Sequence, residues 1–221
     1  MSYFCRNGIK KFADFRKKSS YLKKLDMSQC GLSQRDFFEL IPIILKTEIV
    51  IIQRNPISDI DLKIFSTQFH EAKGHIKLKS LDISSSSLTD ESLKQISKFA
   101  FLIENLDLQD STFGHKGLEC LLKCFQESEV KSLQSLNMRM CKLTDDCLEP
   151  LSQIIPYLSS VTLSSNNFSA ATGVRLLVTR IDQEEDYLLR HLDLRYSRVS
   201  QDMKKILGDL CRRKKIELKV W

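Results

Sequence analysis

One spacing of apolar residues recurs along the 221-residue chain and constrains its fold more than any other feature. In the segment that starts at Leu22, apolar side chains occupy the first, fourth, sixth and eleventh positions, and Cys30 occupies the ninth. The same spacing returns six times, with the fourth position at Val50, Leu81, Leu106, Leu136, Val161 and Leu192. A period of about 20 to 50 residues indicates a repeat architecture, in which each unit buries its apolar face only by stacking on its neighbours.

The distance between repeats alternates. The ninth position falls at residues 30, 55, 86, 111, 141, 166 and 197, so that steps of 25 alternate with steps of 30 or 31. Two consecutive steps always add up to 55 or 56, which indicates that the duplicated unit was a pair of repeats. The pattern L-x-x-L-x-L-x-x-N/C-x-L resembles the leucine-rich repeat family, and the alternation resembles its ribonuclease-inhibitor-like subclass.

Each copy predicts a short strand followed by a helix. Apolar residues at the fourth and sixth positions alternate with polar residues, as in a strand with one buried face. In the third copy, Thr89 and Asp90 are suited to begin a helix, and Leu93, Ile96 and Phe101 provide its apolar stripe. We therefore expect an α/β fold, a leucine-rich repeat solenoid (horseshoe) of about seven repeats, with a parallel sheet on the concave side and helices on the convex side.

Three segments are expected. The repeats cover residues 22–210, and caps are expected on both sides because the terminal repeats would otherwise expose apolar flanks to water. Residues 1–21 are predicted to form an N-terminal capping helix, and residues 211–221 a C-terminal cap strand. The apolar residues behind these two predictions are Phe4, Ile9, Phe12 and Phe15 at near-helical spacing, and Ile216, Leu218 and Val220 in alternation with charges.

Charge is concentrated at the two ends. Residues 1–24 carry a net charge of +7 and residues 204–221 carry +5, which leaves −6 for residues 25–203 because the whole chain is +6. The global charge is therefore no argument for nucleic-acid binding, and none is expected. A basic amphipathic helix can also lie on an anionic membrane, so membrane contact through the N-terminal helix stays open as an alternative to capping.

Catalytic and metal-binding patterns are weak. The seven cysteines match no disulfide framework, and neither a secretory signal nor a membrane-length apolar stretch is recognisable, so we expect free thiols in a cytoplasmic, reducing compartment. His115, Cys120 and Cys124 share one segment but lack a fourth metal ligand. Glycine-rich phosphate-binding motifs are missing. We therefore expect no enzymatic activity, no cofactor and no metal.

The concave face offers the candidate contact residues. Between the fourth-position and sixth-position apolar residues, each strand directs one side chain outward, polar in every copy except at Ile51, and the next two outward or turn positions extend this surface. The candidates for partner binding are Asp82, Asp107, Gln109, Asp110, Asn137, Arg139, Met140, Asp193, Arg195 and Tyr196. The aspartates have an equal structural interpretation, in which they form hydrogen bonds along the sheet.

Arg139, Met140, Arg195 and Tyr196 are the strongest candidates, because arginine and aromatic residues are enriched at binding hot spots and a solenoid core does not need them. The sixth repeat offers only serine and threonine at these positions, so we expect it to contribute least.

The resemblance implies a non-catalytic protein–protein interaction scaffold that binds a protein partner on its concave face. Proteins with such repeats act as inhibitors, innate sensors, actin-cap proteins and GTPase activators. The alternative is a leucine-rich repeat effector or GTPase-activator-like regulator that acts on a host or cellular signalling protein. Against the GTPase activator stands the basic C-terminus, where the Ran-activating proteins have an acidic tail.

Overall fold

The computed structural model describes residues 22–72, 74–169 and 171–220, so the predicted N-terminal capping helix lies outside the described residues. Strands alternate with helices. The strands are β1 (Leu22–Asp26), β2 (Thr47–Ile51), β3 (Ser80–Asp82), β4 (Asn105–Asp107), β5 (Ser135–Asn137), β6 (Ser160–Thr162), β7 (His191–Asp193) and β8 (Glu217–Lys219). The α-helices are α1 (Gln34–Ile44), α2 (Asp59–Glu71), α3 (Asp90–Ala100), α4 (His115–Glu127), α5 (Leu148–Ile154), α6 (Ala171–Gln183) and α7 (Gln201–Arg213).

The eight strands form one parallel sheet in chain order, β1 to β8. The predicted register is confirmed, because the fourth-position residues pair with one another across the whole sheet. Leu25, Val50 and Leu81 begin this row, and Leu192 pairs with Leu218 at its end. The parallel sheet on one side and the helices on the other confirm the predicted solenoid.

Side-chain caps fix where several helices begin. Ser33 and Ser58 form reciprocal capping boxes with Asp36 and Asp61, and the predicted start of α3 is confirmed because the Thr89 side chain accepts a hydrogen bond from the Ser92 amide. In the fifth repeat a 3₁₀ turn (Asp145–Cys147) precedes the short α5, and a second one (Ile155–Tyr157) follows it. Pro156 lies in the second turn, where it lacks the amide hydrogen that an α-helix requires.

The core lies between the sheet and the helices. One leucine or valine of each strand from β1 to β7 and the inward stripe of each helix are buried, including the predicted Leu93, Ile96 and Phe101. Aromatic rings join α2 to α3: Phe99 contacts the ring of Phe65 edge-on at 5.1 Å between centroids and stacks on Phe69 at 5.2 Å. No helix in the described part of the chain is long and apolar enough to cross a membrane.

The predicted boundary at residue 211 is wrong, because it falls inside α7. Leu207, Leu210 and Cys211 all belong to the buried face of this helix, so its amphipathic pattern continues to Arg213. The final strand β8 begins only at Glu217 and pairs in parallel with β7.

Candidate protein-binding face

Three rows of residues cross the sheet on the side away from the helices. The fifth-position row consists of Asp26, Ile51, Asp82, Asp107, Asn137, Thr162 and Asp193. The seventh-position row consists of Ser28, Gln53, Ser84, Gln109, Arg139, Ser164 and Arg195. The eighth-position row consists of Gln29, Arg54, Ser85, Asp110, Met140, Ser165 and Tyr196, all of which have left-handed backbone with φ between 52° and 59°. The strand register therefore brings the ten candidate residues onto one surface.

The fifth-position side chains form hydrogen bonds within their own repeats. The carboxylates of Asp82, Asp107 and Asp193 each accept a hydrogen bond from the backbone amide two residues later, at 2.9 to 3.0 Å. The Asn137 amide oxygen accepts the Arg139 amide in the same way at 3.0 Å. These bonds fit the structural interpretation of the aspartates, because each carboxylate ends its strand and fixes the following turn.

Asp107 is a largely enclosed carboxylate of this row. Burial raises its pKa, aided by the negative charge of Asp82 on the neighbouring strand β3, although hydrogen bonds from Gln109 and Asn137 oppose the change. The Asn137 side-chain amide donates to the second Asp107 oxygen at 2.8 Å. Asp82, Asp107 and Asn137 therefore form a polar strip along the middle of the face.

Arg195 and Asp193 form an internal ion pair. Two guanidinium nitrogens of Arg195 donate to the two Asp193 oxygens, at 3.0 and 2.8 Å. Burial acts to raise the pKa of Asp193, but the hydrogen bonds and charge of Arg195 outweigh it and the pKa is lowered. The Arg195 fork is therefore already satisfied within its repeat, which sequence patterns did not indicate.

Three side chains of the face are available for contact with a partner, those of Arg139, Met140 and Tyr196. Met140 is 43% exposed and Tyr196 is 72% exposed, so both hold apolar surface in water. The Arg139 guanidinium makes no hydrogen bond or ion pair within the described ranges. Asp110 also lies exposed on the turn row, beside the half-buried Gln109.

Two segments of the chain, residues 74–97 and 131–152, match a family model described as "Leucine Rich repeat". They begin just before β3 and β5 and run into the helices that follow, so the matched segments coincide with repeats three and five of the solenoid. The chain is a leucine-rich repeat protein. Its assignment to the ribonuclease-inhibitor-like subclass stays a prediction.

Curated relatives share part of this leucine-rich repeat region. The chain is 29% identical over 128 residues to mouse (Mus musculus) "NACHT, LRR and PYD domains-containing protein 5" and 30% identical to the human (Homo sapiens) protein of the same name. Each match covers 55% of this chain, and 11% of the mouse and 10% of the human protein. The chain thus spans about a tenth of the length of these relatives.

Two solved structures are similar to this leucine-rich repeat protein. One is the tropomodulin C-terminal domain of Caenorhabditis elegans, with a TM-score of 0.45, 11% identity, and coverage of 80% of this chain and 91% of that domain. The other is a chain of the yeast Rad7 and Elc1 complex, with a TM-score of 0.43, 15% identity, and coverage of 97% of this chain and 72% of that chain.

Two buried thiols of this leucine-rich repeat protein, those of Cys141 and Cys211, are poor nucleophiles. Burial raises the pKa of Cys141 to about 12 and that of Cys211 to about 11, so both stay protonated at neutral pH. Among the described residues, no group of three or more histidine, cysteine or acidic side chains is placed to hold a metal ion. Leucine-rich repeat proteins are in general non-catalytic, and the repeats support a role as a protein-interaction scaffold.

The sixth repeat holds a feature that sequence analysis missed. Its fifth position is Thr162, which has no carboxylate to accept the amide hydrogen two residues later. The amide and hydroxyl of Ser164 consequently have no acceptor within the described part of the chain, although Ser164 is only 2% exposed. The sequence does carry a signal for these unpaired donors: repeat six has no aspartate at its fifth position but keeps serine at its seventh.

Proposed function

We propose that this chain is a non-catalytic scaffold that holds a protein partner on its concave face. The contact surface consists of the ten residues named above, with most of the binding energy on Arg139, Met140 and Tyr196. The fold provides a rigid sheet for these side chains, because every strand is bonded to its neighbours.

The exposure of Met140 and Tyr196 is the observation that carries this proposal. A left-handed backbone costs roughly 1–2 kcal/mol for a residue with a side chain, and it is tolerated best by glycine, asparagine or aspartate. Met140 and Tyr196 occupy such positions without entering the core. Their apolar surface therefore faces water in the free protein, and its burial against a partner would be favourable.

Charge divides the face into two halves. Asp82, Asp107 and Asp110 give the earlier half a negative surface, whereas Arg139 gives the later half a cation with no internal partner. A partner that meets both halves would present basic groups to repeats three and four and an acidic group to repeat five. Cys120, Cys124, Cys141, Cys147 and Cys211 carry free thiols, in keeping with a reducing compartment such as the cytoplasm.

Affinity capture followed by mass spectrometry would provide a candidate partner, and calorimetry with that partner would test the contact residues. Arg139→Ala and Tyr196→Ala are each expected to cost roughly 2 kcal/mol of binding free energy, the usual size of a hot-spot loss. Both variants should keep the circular dichroism spectrum of the native chain, because neither side chain belongs to the core.

Lys123→Ala on the exposed side of α4 is the matched control and should leave the affinity unchanged. Unchanged affinity in both the Arg139 and Tyr196 variants would mean that the partner binds elsewhere, on the helices or at the basic ends.

A further inference from the structure

Ser164 occupies the seventh position of its repeat. In other repeats the residue at this position donates hydrogen bonds to the carboxylate of the fifth residue. In repeats one and three, the equivalent Ser28 and Ser84 each direct two donors, the backbone amide and the hydroxyl, at one aspartate oxygen. The hydroxyl donates at 2.6 Å in both cases, and the amide at 3.2 and 3.0 Å. Two donors that converge on one oxygen form a small anion-binding site.

Repeat six has the same two donors but no internal acceptor. Ser164 is 2% exposed and Ser84 is 5% exposed, so the two residues are similarly enclosed. The Ser164 hydroxyl oxygen is not one of the fully buried side-chain atoms that lack a partner, so it remains open to solvent and an external acceptor can reach it. Repeat two also lacks a carboxylate, but Ile51 and Gln53 occupy the equivalent positions there and provide no hydroxyl.

The neighbours of Ser164 are cationic. In the seventh-position row, Ser164 lies between Arg139 and Arg195, on strands separated by about 4.8 Å. The Met140 amide donates to the Ser164 carbonyl at 3.1 Å, so these strands remain in contact beyond the regular sheet. Asp193 neutralises Arg195, whereas the Arg139 guanidinium has no partner among the described residues. One uncompensated positive charge therefore adjoins the two Ser164 donors.

We propose that Ser164 and Arg139 together bind the side-chain carboxylate of an aspartate or glutamate in the protein partner. This proposal rests on the proposed function and specifies which chemical group of the partner is bound. The Ser164 amide and hydroxyl hold the carboxylate as Ser84 holds Asp82, and Arg139 supplies the charge. Met140 and Tyr196 lie on either side, so the acidic residue belongs to a segment that also carries apolar side chains.

The first test uses a small probe on the isotopically labelled chain. N-acetyl-aspartate methylamide should shift the Ser164 amide resonance in a saturable manner, and N-acetyl-asparagine methylamide should bind at least tenfold more weakly. Thr162→Asp should abolish the response, because the new carboxylate occupies the same donors.

The carboxylate assignment would be overturned if the Ser164 resonance moves equally with both compounds or with neither. Binding of N-acetyl-phosphoserine methylamide more than tenfold tighter than the aspartate compound would also overturn it, in favour of a phosphate.

The second test measures affinity for the protein partner. Thr162→Asp is expected to lower that affinity at least tenfold while raising the urea midpoint of unfolding, because it satisfies the Ser164 donors internally. Ile51→Asp is the matched control, since it offers an internal acceptor to the Gln53 amide in repeat two and should leave the affinity unchanged.

If Tyr196→Ala weakens binding but Thr162→Asp does not, the concave-face proposal stands and the carboxylate site is wrong. If neither substitution weakens binding, both are wrong. In that case Ser164 would contribute nothing to partner binding, as the sequence analysis expected for repeat six.

Discussion

Two rows of residues link each repeat to the next, one inside the turns and one at the helix starts. In the turn row, at the ninth position of each repeat, Asn55 and Asn166 bond to backbone groups of two repeats at once. In the helix-start row, the first helical residue bonds to the following repeat: Asp90 accepts the amides of Gly114 and Gly117 at 2.7 and 3.1 Å. His115 has the same place and bonds to the Asp146 carbonyl.

The two rows differ in burial and in charge. Asn55 and Asn166 are buried and neutral, so losing them leaves several backbone groups unpaired in the interior. The helix-start residues are partly exposed and ionisable, so water and salt can replace much of their contribution. The difference implies that the turn interior determines most of the stability of the stack, while the helix starts fix how closely neighbouring helices approach.

The largest effect is expected from Asn166→Ala. The Asn166 side chain accepts the amides of Cys141 and Leu143 at 3.0 Å and donates to the carbonyls of Met138 and Leu163. Alanine would leave these groups unpaired in a buried turn, at a cost of about 4 kcal/mol in the free energy of unfolding. Urea denaturation followed by circular dichroism would measure it.

Ser197→Ala is the control for Asn166→Ala. Its hydroxyl is buried at the same position of the next repeat and has no partner in the described residues, so its removal should be neutral or slightly stabilising. Equal losses of unfolding free energy in the two variants would show that the hydrogen bonds of Asn166 add no stability beyond that of the Ser197 side chain.

The second effect concerns the helix starts. In Gly173→Ala, the new Cβ would lie 2.9 Å from the Asp145 carbonyl oxygen and 3.0 Å from Leu148 Cδ1, so α6 would have to move away from repeat five. Overpacking typically costs about 1–3 kcal/mol, more than the gain of about 1 kcal/mol from replacing glycine in a helix. A net loss of about 1.5 kcal/mol is expected in thermal or urea unfolding.

Gly208→Ala in α7 is the matched control for Gly173→Ala. No atom lies within 4 Å of its added Cβ, so alanine should stabilise the chain by about 0.5–1 kcal/mol. A gain at both positions would mean that the helices can separate at no cost, which contradicts the proposed role of the helix starts.

The strand positions could be predicted from sequence because one apolar pattern encodes both burial and register. Even Thr47, which breaks the pattern at the first position of repeat two, keeps its place because its hydroxyl donates to the Ile43 carbonyl at 2.7 Å. The end of α7 was misjudged because Leu210 and Cys211 suit either a helix or a following strand.

The candidate site was less accessible to sequence reasoning, because its chemistry depends on pairs of residues. Arg195 and Arg139 have the same position in the repeat alignment. The Arg195 guanidinium binds Asp193, whereas the Arg139 guanidinium has no partner in the described ranges. Ser164 and Ser84 are likewise identical residues, and only the change from aspartate to Thr162 distinguishes them. Such differences become visible when the fifth and seventh positions are compared together.

A smaller gain is expected from Ser111→Asn, which would extend the amide network of the turn row to repeat four. Ser111 has a buried hydroxyl without a partner in the described residues, and its position corresponds to those of Asn55 and Asn166. An asparagine could reach the Leu88 amide and the Ile83 carbonyl, by analogy with the bonds of Asn166. The gain should be about 1 kcal/mol in the free energy of unfolding.

Ser111→Ala is the comparison variant, because it removes the unpaired hydroxyl without adding bonds. A lower urea midpoint for Ser111→Asn than for Ser111→Ala would mean that the Cys141 thiol, which donates to the Leu108 carbonyl at 3.2 Å, already fills the space.

The smallest effect is a pH dependence at His115, where the helix-start row has a histidine in place of an aspartate. Its Nδ1 lies 2.9 Å from the Asp146 carbonyl oxygen and its Nε2 lies 3.2 Å from Glu119, so both nitrogens act as donors only in the protonated ring. The Asp146 hydrogen bond, chiefly, and the nearby acidic charges raise the pKa of His115 above its usual 6.5, although burial opposes this.

Because the pKa is raised in the folded state, His115 stabilises the chain fully below pH 6.5 and loses this contribution as the pH rises through the folded-state pKa. The difference in urea midpoint between the native chain and His115→Gln should therefore be largest at acidic pH, around 5.5, and shrink towards pH 8.5. Its free-energy equivalent should not exceed about 0.5 kcal/mol, the size of an exposed ion pair. The trend should weaken in a Glu119→Gln background, and a difference that grows with pH would contradict the assigned donor roles.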